Sequence, residues 1–330
     1  MLDPILLNDW HPVANASDLR LGSLLASSLL NESLVLWRSL KGEVHAWKDQ
    51  CPHRGARLSL GMIENDQLIC PYHGWQFSTS GQCVHVPALP EFKSPLSHCA
   101  KTYRVEEKYG LIWVCLGEPQ QPVLPFPEYQ DPKLRKVLCG PYEVDTSGPR
   151  IVENFIDLAH FPFVHAGILG ERPRNEVLDY EVNDYVDEQG GKGVIATKCY
   201  FWQPKPHALS TSGAQVEYSF RVLRPLSAIL TKVADEPRGV CESISLHIQP
   251  LEEAKSRVWI ILALNIFEKT EQELREFQDA IFLQDQPIVE SQSPKCLPIW
   301  KDEELSIRSD RMSVAYRKYL KNLSLQFGVV

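Results

Sequence analysis

The chain has 330 residues, 44% hydrophobic and 23% charged, enough apolar mass for one large domain or two ordinary ones with a real core. With 34 basic against 42 acidic residues the net charge is −8. That argues against nucleic acid or an anionic membrane as the main partner, because both select basic patches.

At the start of the chain, Asp3 and Pro4 stand where an export signal would carry positive charge, so export is not expected. Residues 34–37 and 44–47 flank a Lys41-Gly42-Glu43 turn, which predicts a β-hairpin. Cys51-Pro52-His53 follows and, sixteen residues later, Cys70-Pro71-Tyr72-His73. Each pair sits on a tight turn, so two loops can clamp one centre from opposite sides. Two Cys and two His also satisfy a tetrahedral zinc ion, but zinc sites usually keep the softer ligands together as Cys-x-x-Cys. Here each loop supplies one of each type. That division suits a [2Fe-2S] cluster of Rieske type, in which two thiolates hold one iron and two imidazoles the other. Residues 111–116 form a compact apolar strand ending at Gly117.

Pro119, Pro122, Pro125, Pro127 and Pro132 then interrupt regular structure and mark a boundary. A helical segment opens near Pro149. Strand-like runs follow at residues 193–202, 215–224, 240–249 and 257–267, and residues 216–222 alternate as a half-buried antiparallel strand should. The longest apolar run, residues 258–267, is too short to span a bilayer and holds Asn265. Thr270 and Glu273 make the capping box of a long amphipathic helix on which Leu274, Phe277, Ile281 and Phe282 keep helical spacing. The expected class is α+β: an all-β domain over residues 1–120, a proline-rich connection at 121–148, and a helix-grip domain at 149–330, in which an antiparallel sheet surrounds a long helix.

Residues 153–165 hold His160, His165, Glu153 and Asp157. Asp157 and His160 stand three apart, the spacing of one helix face. His165 is too far along for that face, but Pro162 is expected to break the turn and return it towards His160. Two His and one carboxylate on one side of an iron, with open positions opposite, make the ligand set of oxygen-activating Fe(II) sites. Asp285, expected at the end of the long helix where Gln286-Pro287 breaks it, is the best third donor. On the residues alone, a capping or solvated acid and structural histidines remain equally open readings.

Cys51-Pro-His-Arg-Gly, Cys70-Pro-Tyr-His-Gly-Trp75 with Gly81 closing the turn, and the segment from Glu153 to His165 resemble the two motifs of the Rieske non-haem iron oxygenases. The resemblance covers nearly the whole chain. It implies Cys51, His53, Cys70 and His73 as cluster ligands. It also implies His160, His165 and Asp285 as ligands of a mononuclear Fe(II), Asn154 close to that metal, and Asp157 as a bridging acid. In that family the cluster of one subunit serves the iron of its neighbour, so a head-to-tail homotrimer is implied, with Asp157 joining His160 to His73 of the adjoining subunit. It implies O2 as co-substrate and a separate NAD(P)H-dependent reductase of flavin or ferredoxin type, consistent with the lack of a Gly-rich dinucleotide fingerprint after a strand. The reaction implied is hydroxylation of a small molecule, or demethylation when the hydroxylated carbon is an O- or N-methyl.

The chain is similar in length to the vanillate and dicamba O-demethylase group. In wording near residues 34, 109–117, 220–226 and 309–318 it resembles the saxitoxin-pathway hydroxylases. A guanidinium alkaloid is therefore one substrate expectation and a methoxyaromatic acid another. A guanidinium would need a carboxylate in the pocket, and Glu217 and Glu242 lie in candidate strands. Tyr200, Trp202, Tyr218, Phe220, His247 and Asn265 are candidate pocket residues, although for each taken alone packing is the commoner role. A non-catalytic Rieske electron carrier would leave the second motif unexplained, and a helix-grip binding protein with a zinc clip would contain no iron. Nine cysteines, an odd number, do not make a disulfide framework, and a reducing, cytoplasmic setting is expected.

Overall fold

The structure, a computed structural model, describes residues 3–187, 190–234, 241–301 and 303–330. It divides into two units that part between Val123 and Leu124. Among the described residues, no helix is long and apolar enough to cross a membrane.

The first unit is built from short strands because its apolar residues alternate between frequent turns. After a one-turn helix α1 (Pro4–Leu7) come β1 (His11–Asn15), β2 (Leu24–Leu29), β3 (Glu32–Arg38), β4 (Val44–Lys48), β5 (Met62–Glu64), β6 (Gln67–Ile69), β7 (Gln76–Phe77), β8 (Cys83–His85), β9 (Thr102–Lys108) and β10 (Leu111–Cys115). Six of them form a sheet in the order β1-β10-β9-β4-β3-β2, and the other four a smaller meander, β5-β6-β7-β8. The predicted hairpin is β3–β4, closed where Arg38 pairs with Val44. Trp37, Trp47 and Phe77 are fully buried and meet edge to face, with ring centroids 5.2 and 6.4 Å apart. Rings of this kind each withdraw roughly 150–250 Å² from water. Cys51 and Cys70 belong to the same core cluster, so the packing that folds the unit also fixes the cluster loops.

The second unit begins with α2 (Pro127–Gln130), β11 (Arg135–Val144), α3 (Gly148–Phe155) and α4 (Phe161–Val164). It continues through β12 (Glu181–Val186), β13 (Lys192–Gln203), β14 (Ala214–Arg224), β15 (Ser227–Ala234), β16 (Cys241–Glu252) and β17 (Lys255–Leu264) to α5 (Glu271–Ser291) and α6 (Arg311–Leu323). The seven strands form one antiparallel sheet in the order β11-β17-β16-β15-β14-β13-β12, and α5 packs on β11. Four strands were expected from hydrophobic runs. The run expected from 240 begins at Val240, which lies outside the described residues; β16 is described from Cys241. The three unexpected strands are an edge, a polar-faced edge and a short run. β11 lies in the stretch read as a connection and absorbs Gly140-Pro141 in a bulge between Cys139 and Tyr142. β12 is largely exposed, and β15 follows β14 after a tight turn.

The capping box forms as expected: the Thr270 side chain accepts from the Glu273 N–H, and Glu273 returns a bond to the Thr270 N–H. Helix α5 does not stop at Pro287, however; it runs on to Ser291. The proline ring forfeits one backbone bond, to the carbonyl of Leu283, and that residue stands on the exposed side of the helix, where water reaches it. Asp285 therefore projects from within the helix rather than from its end. In α6, Met312, Tyr316 and Leu320 form a buried stripe at four-residue spacing, and Tyr316 donates to the Pro225 carbonyl at 2.7 Å.

Candidate metal centres and the catalytic cavity

In the first unit the two Cys–His loops are the same turn made twice. The Gly55 N–H donates to the Cys51 carbonyl (2.9 Å) and the Cys51 N–H to the Ala56 carbonyl (2.8 Å). In the second loop the Gly74 N–H donates to the Cys70 carbonyl (3.1 Å) and the Cys70 N–H to the Trp75 carbonyl (2.8 Å). Gly55 and Gly74 close these turns at φ +73° and +69°, where a side chain would be strained. The loops bring the His53 and His73 rings to 4.7 Å between centroids, and His53 stacks on Trp75 at 4.5 Å. Burial, aided by the neighbouring Cys70, pushes the Cys51 thiol up to about 11. Cys51 would thus stay protonated at neutral pH unless a cation compensated the thiolate. His53 Nδ1 is buried with no hydrogen-bond partner. Two buried thiols and two imidazoles, one of them holding an orphaned nitrogen, fit a Rieske cluster.

In the second unit, α3 is capped by the Ser147 side chain, which accepts from the Arg150 N–H, and it ends at Phe155. Asp157 and His160 therefore do not share a helix face. Asp157 instead folds back over the following turn and accepts from the N–H groups of Ala159 (3.0 Å) and His160 (3.2 Å) and from His160 Nδ1 (2.9 Å). Pro162 does not break the turn either; it occupies the first turn of α4, where its missing N–H costs nothing. His160 precedes this helix and His165 ends it, so one helical turn returns the second imidazole to the first. The backbone of Gly170 packs so close to α4 that a Cβ there would lie 2.6 Å from Pro162 N and 2.8 Å from Phe161 C.

The result is a convergent donor set. His160 Nε2 and His165 Nε2 are 3.2 Å apart, and Asp285 Oδ1 lies 3.4 and 3.1 Å from them. His165 Nδ1 donates to Gln284 Oε1 at 2.9 Å, as His160 Nδ1 does to Asp157. With both Nδ1 atoms committed as donors, both Nε2 atoms carry lone pairs aimed at one point. Two lone pairs and a carboxylate repel one another until a cation lies between them. The geometry thus fits a divalent metal, and these three residues group as donors within 4.8 Å of one another. Asn154 Nδ2 donates to Asp285 Oδ1 at 3.3 Å. Burial pushes the Asp157 carboxyl up, but the hydrogen bonds it accepts from His160 Nδ1 and from the N–H groups of Ala159 and His160 outweigh this and hold it below the usual aspartate range.

These donors open onto a cavity of about 900 Å³, part of it open to solvent, between the sheet and α5. Leu274, Phe277, Gln278, Ile281, Phe282 and Asp285 all face it, at the helical spacing already visible in the sequence. Of the six candidate pocket residues, only Tyr218 lines it. Phe220 is buried two residues further along β14, stacked on Tyr218 with centroids 5.6 Å apart. His247 is sealed in the core between the Ser227 and Ser245 hydroxyls. Asn265 is spent accepting the Cys241 N–H, the Trp202 ring is covered by Arg174, and Tyr200 is partly exposed. Alternation did not assign the faces: Tyr200 pairs with the exposed Glu217, so it and Trp202 lie on the face opposite Tyr218, and His247 and Asn265 stand one residue out of step with Leu246 and Leu264, which line the cavity. Glu217 is exposed, whereas Glu242 faces the cavity together with Lys232.

Residues 9–103 match the Rieske [2Fe-2S] domain family, and residues 144–326 match the vanillate O-demethylase oxygenase C-terminal domain family. The chain is 34% identical over 326 residues to the methylxanthine N1-demethylase NdmA of Pseudomonas putida, spanning 95% of this chain and 88% of that protein. It is 34% identical over 172 residues to the vanillate O-demethylase oxygenase subunit of a Pseudomonas strain, spanning 51% of this chain and 48% of that one. The solved structure of P. putida CBB5 NdmA with caffeine superposes with a TM-score of 0.81 at 30% identity, covering 96% of this chain and 90% of that chain. The oxygenases related in this way combine a Rieske [2Fe-2S] cluster with mononuclear non-haem iron. The chain belongs to the Rieske non-haem iron oxygenases, as an α-subunit that joins a cluster domain to a catalytic domain of the vanillate O-demethylase type.

Proposed function

We propose that this enzyme is an oxidative demethylase of a small neutral N- or O-methylated ring compound, and one observation carries the reading. The donor triad of His160, His165 and Asp285 opens into a cavity whose walls are mostly Leu, Ile and Phe, with no unpaired charge of one sign among the other described lining residues. In this reading residues 1–120 form the cluster domain, with Cys51, His53, Cys70 and His73 as its ligands, and residues 149–330 hold Fe(II) through His160, His165 and Asp285. Bound there, the metal supplies activation of O2 with electrons relayed from the cluster.

The protein's own groups do the positioning. Asp157 and Gln284 hold the two imidazoles with Nε2 inward. Asn154 orients the Asp285 carboxylate. The apolar walls exclude water and present a methyl group to the metal side. One oxygen atom enters a methyl C–H bond and the other leaves as water, using two electrons and two protons. The hydroxymethyl product then breaks its bond to the ring nitrogen or oxygen and releases formaldehyde.

A guanidinium substrate is the weaker reading. Glu242, the acid it would need, is already paired with Lys232 at 2.5 Å. Electrons come from a separate NAD(P)H-dependent reductase. A head-to-tail trimer would set Asp157 beside the exposed His73 of a neighbouring subunit, which suits a carboxylate that is itself partly accessible. All nine cysteines are free, as a reducing cytoplasm would keep them.

The test is to supply the anaerobically purified protein, loaded with about three irons per chain, with NADH, a surrogate reductase and O2. Caffeine, theobromine and 4-methoxybenzoate are the substrates. Formaldehyde equal to O2 consumed is expected with a neutral methylated ring. A hydroxylated product with the methyl retained would overturn demethylation.

A further inference from the structure

The wall of the cavity formed by β15, β16 and β17 is apolar at Leu230, Ile244, Leu246, Ile260 and Leu262, and then polar in a single row. Tyr218 pairs across the sheet with Lys232, Lys232 with Glu242, and Glu242 with Leu264. All four line the cavity. The side chains of Lys232 and Glu242 are only 7% and 8% exposed. Lys232 Nζ is 2.5 Å from Glu242 Oε2 and donates to the Pro206 carbonyl at 2.8 Å. An ammonium has three protons, so one remains to donate. The other oxygen of Glu242 has no partner among the described residues, and Tyr218 accepts from Gln203 Nε2 while its own proton is unassigned.

Packing does not account for this row. A buried ion pair adds little net stability, and two apolar side chains of the same volume would serve the wall as well or better. What the pair supplies is a fixed donor beside a fixed acceptor at one end of an otherwise greasy cavity. Burial pushes the Lys232 ammonium down, but Glu242 outweighs it and the group stays charged.

We propose that the Tyr218–Lys232–Glu242 row determines specificity by reading a carbonyl and an adjacent N–H on the edge of a neutral cyclic amide or urea. The third Lys232 proton, with the Tyr218 hydroxyl, donates to the carbonyl oxygen, and the open Glu242 oxygen accepts from the ring N–H. The row as a whole is neutral. Glu242 opposes a carboxylate substrate and Lys232 a cation. The proposal rests on the demethylase reading for its substrate class, but it concerns recognition and is testable without turnover.

The experiment measures binding to the iron-loaded holoenzyme by calorimetry, without reductant. The probes are theobromine (carbonyls and a ring N–H), caffeine (carbonyls only) and methoxybenzene (neither). The expected order of affinity is theobromine, caffeine, methoxybenzene, with the first about tenfold or more tighter than the last. In Lys232→Leu/Glu242→Leu that preference is expected to collapse to about threefold or less. If the leucine pair does not fold, Lys232→Met/Glu242→Gln is read in the same way. A folded, iron-loaded double variant that keeps the theobromine preference overturns the proposal, as does a wild type that binds the three alike or binds none. Preferential binding without formaldehyde release counts against demethylation and leaves the row standing. Formaldehyde release without preference counts against the row alone.

Discussion

Asp157 Oδ2 lies 2.9 Å from His160 Nδ1, and the same carboxylate takes the backbone N–H groups of His160 and Ala159. One acid therefore sets the local turn, the ring orientation and the tautomer of His160. Asp157→Ala is expected to keep about three irons per chain but to lose about 10–100-fold or more in turnover. Iron analysis beside a steady-state assay checks this. Near-normal product formation would sink the role assigned to Asp157.

Gln284 does for His165 what Asp157 does for His160, through a neutral amide at 2.9 Å. Gln284→Ala frees the ring to rotate and to change tautomer. Affinity for ferrous iron at the triad is expected to fall about 10–100-fold, with the visible spectrum of the cluster unchanged. Competition with a ferrous chelator gives the number, and unchanged affinity would remove Gln284 from the site.

Gly170 touches the backbone of α4 between the two histidines. In Gly170→Ala the added methyl must displace Pro162 or Phe161, because backbone atoms so close to it have no alternative rotamer. Iron is expected to fall from about three to about two per chain while sulfide stays constant. A fully loaded variant would show that α4 yields more easily than this contact implies.

His247 is sealed in the core, and burial alone lowers it from 6.5 to about 3. It thus stays neutral when folded at a pH where the unfolded chain binds a proton. The stability this represents is present above pH 6.5 and is lost as the pH falls towards 3, at up to about 1.4 kcal/mol per pH unit. Thermal midpoints measured from pH 7 to pH 4 are expected to fall less steeply in His247→Gln than in the wild type. Parallel slopes would contradict the assignment.

The cluster loops were legible because their chemistry is local. A Cys, a His and a turn-closing Gly lie within five residues, twice, and no distant contact is needed to make the turn. His160, His165 and Asp157 were legible for the same reason, although the turn that joins them is a cap and a one-turn helix rather than a shared face and a break. Asp285 was singled out as the acid before Gln286-Pro287 and by the resemblance, and the capping box by Thr270 and Glu273; the 3.6-residue period of Leu274, Phe277, Ile281 and Phe282 would have added Gln278. Pro287 misled because a proline's local cost was taken as decisive, whereas packing along the helix and water at the Leu283 carbonyl absorb it.

By itself the sequence determined the Cys–His loops and the His160–His165 segment, the strand-rich class and the helix that carries Asp285, since each depends on spacing within one segment. Only the tertiary structure decided which side chains line the cavity. Strand alternation tells two faces apart, but register places Lys232 opposite Glu242 and Tyr218 beside them, and it leaves His247 in the core. Register follows from pairing between segments distant along the chain, and no window of sequence contains that information.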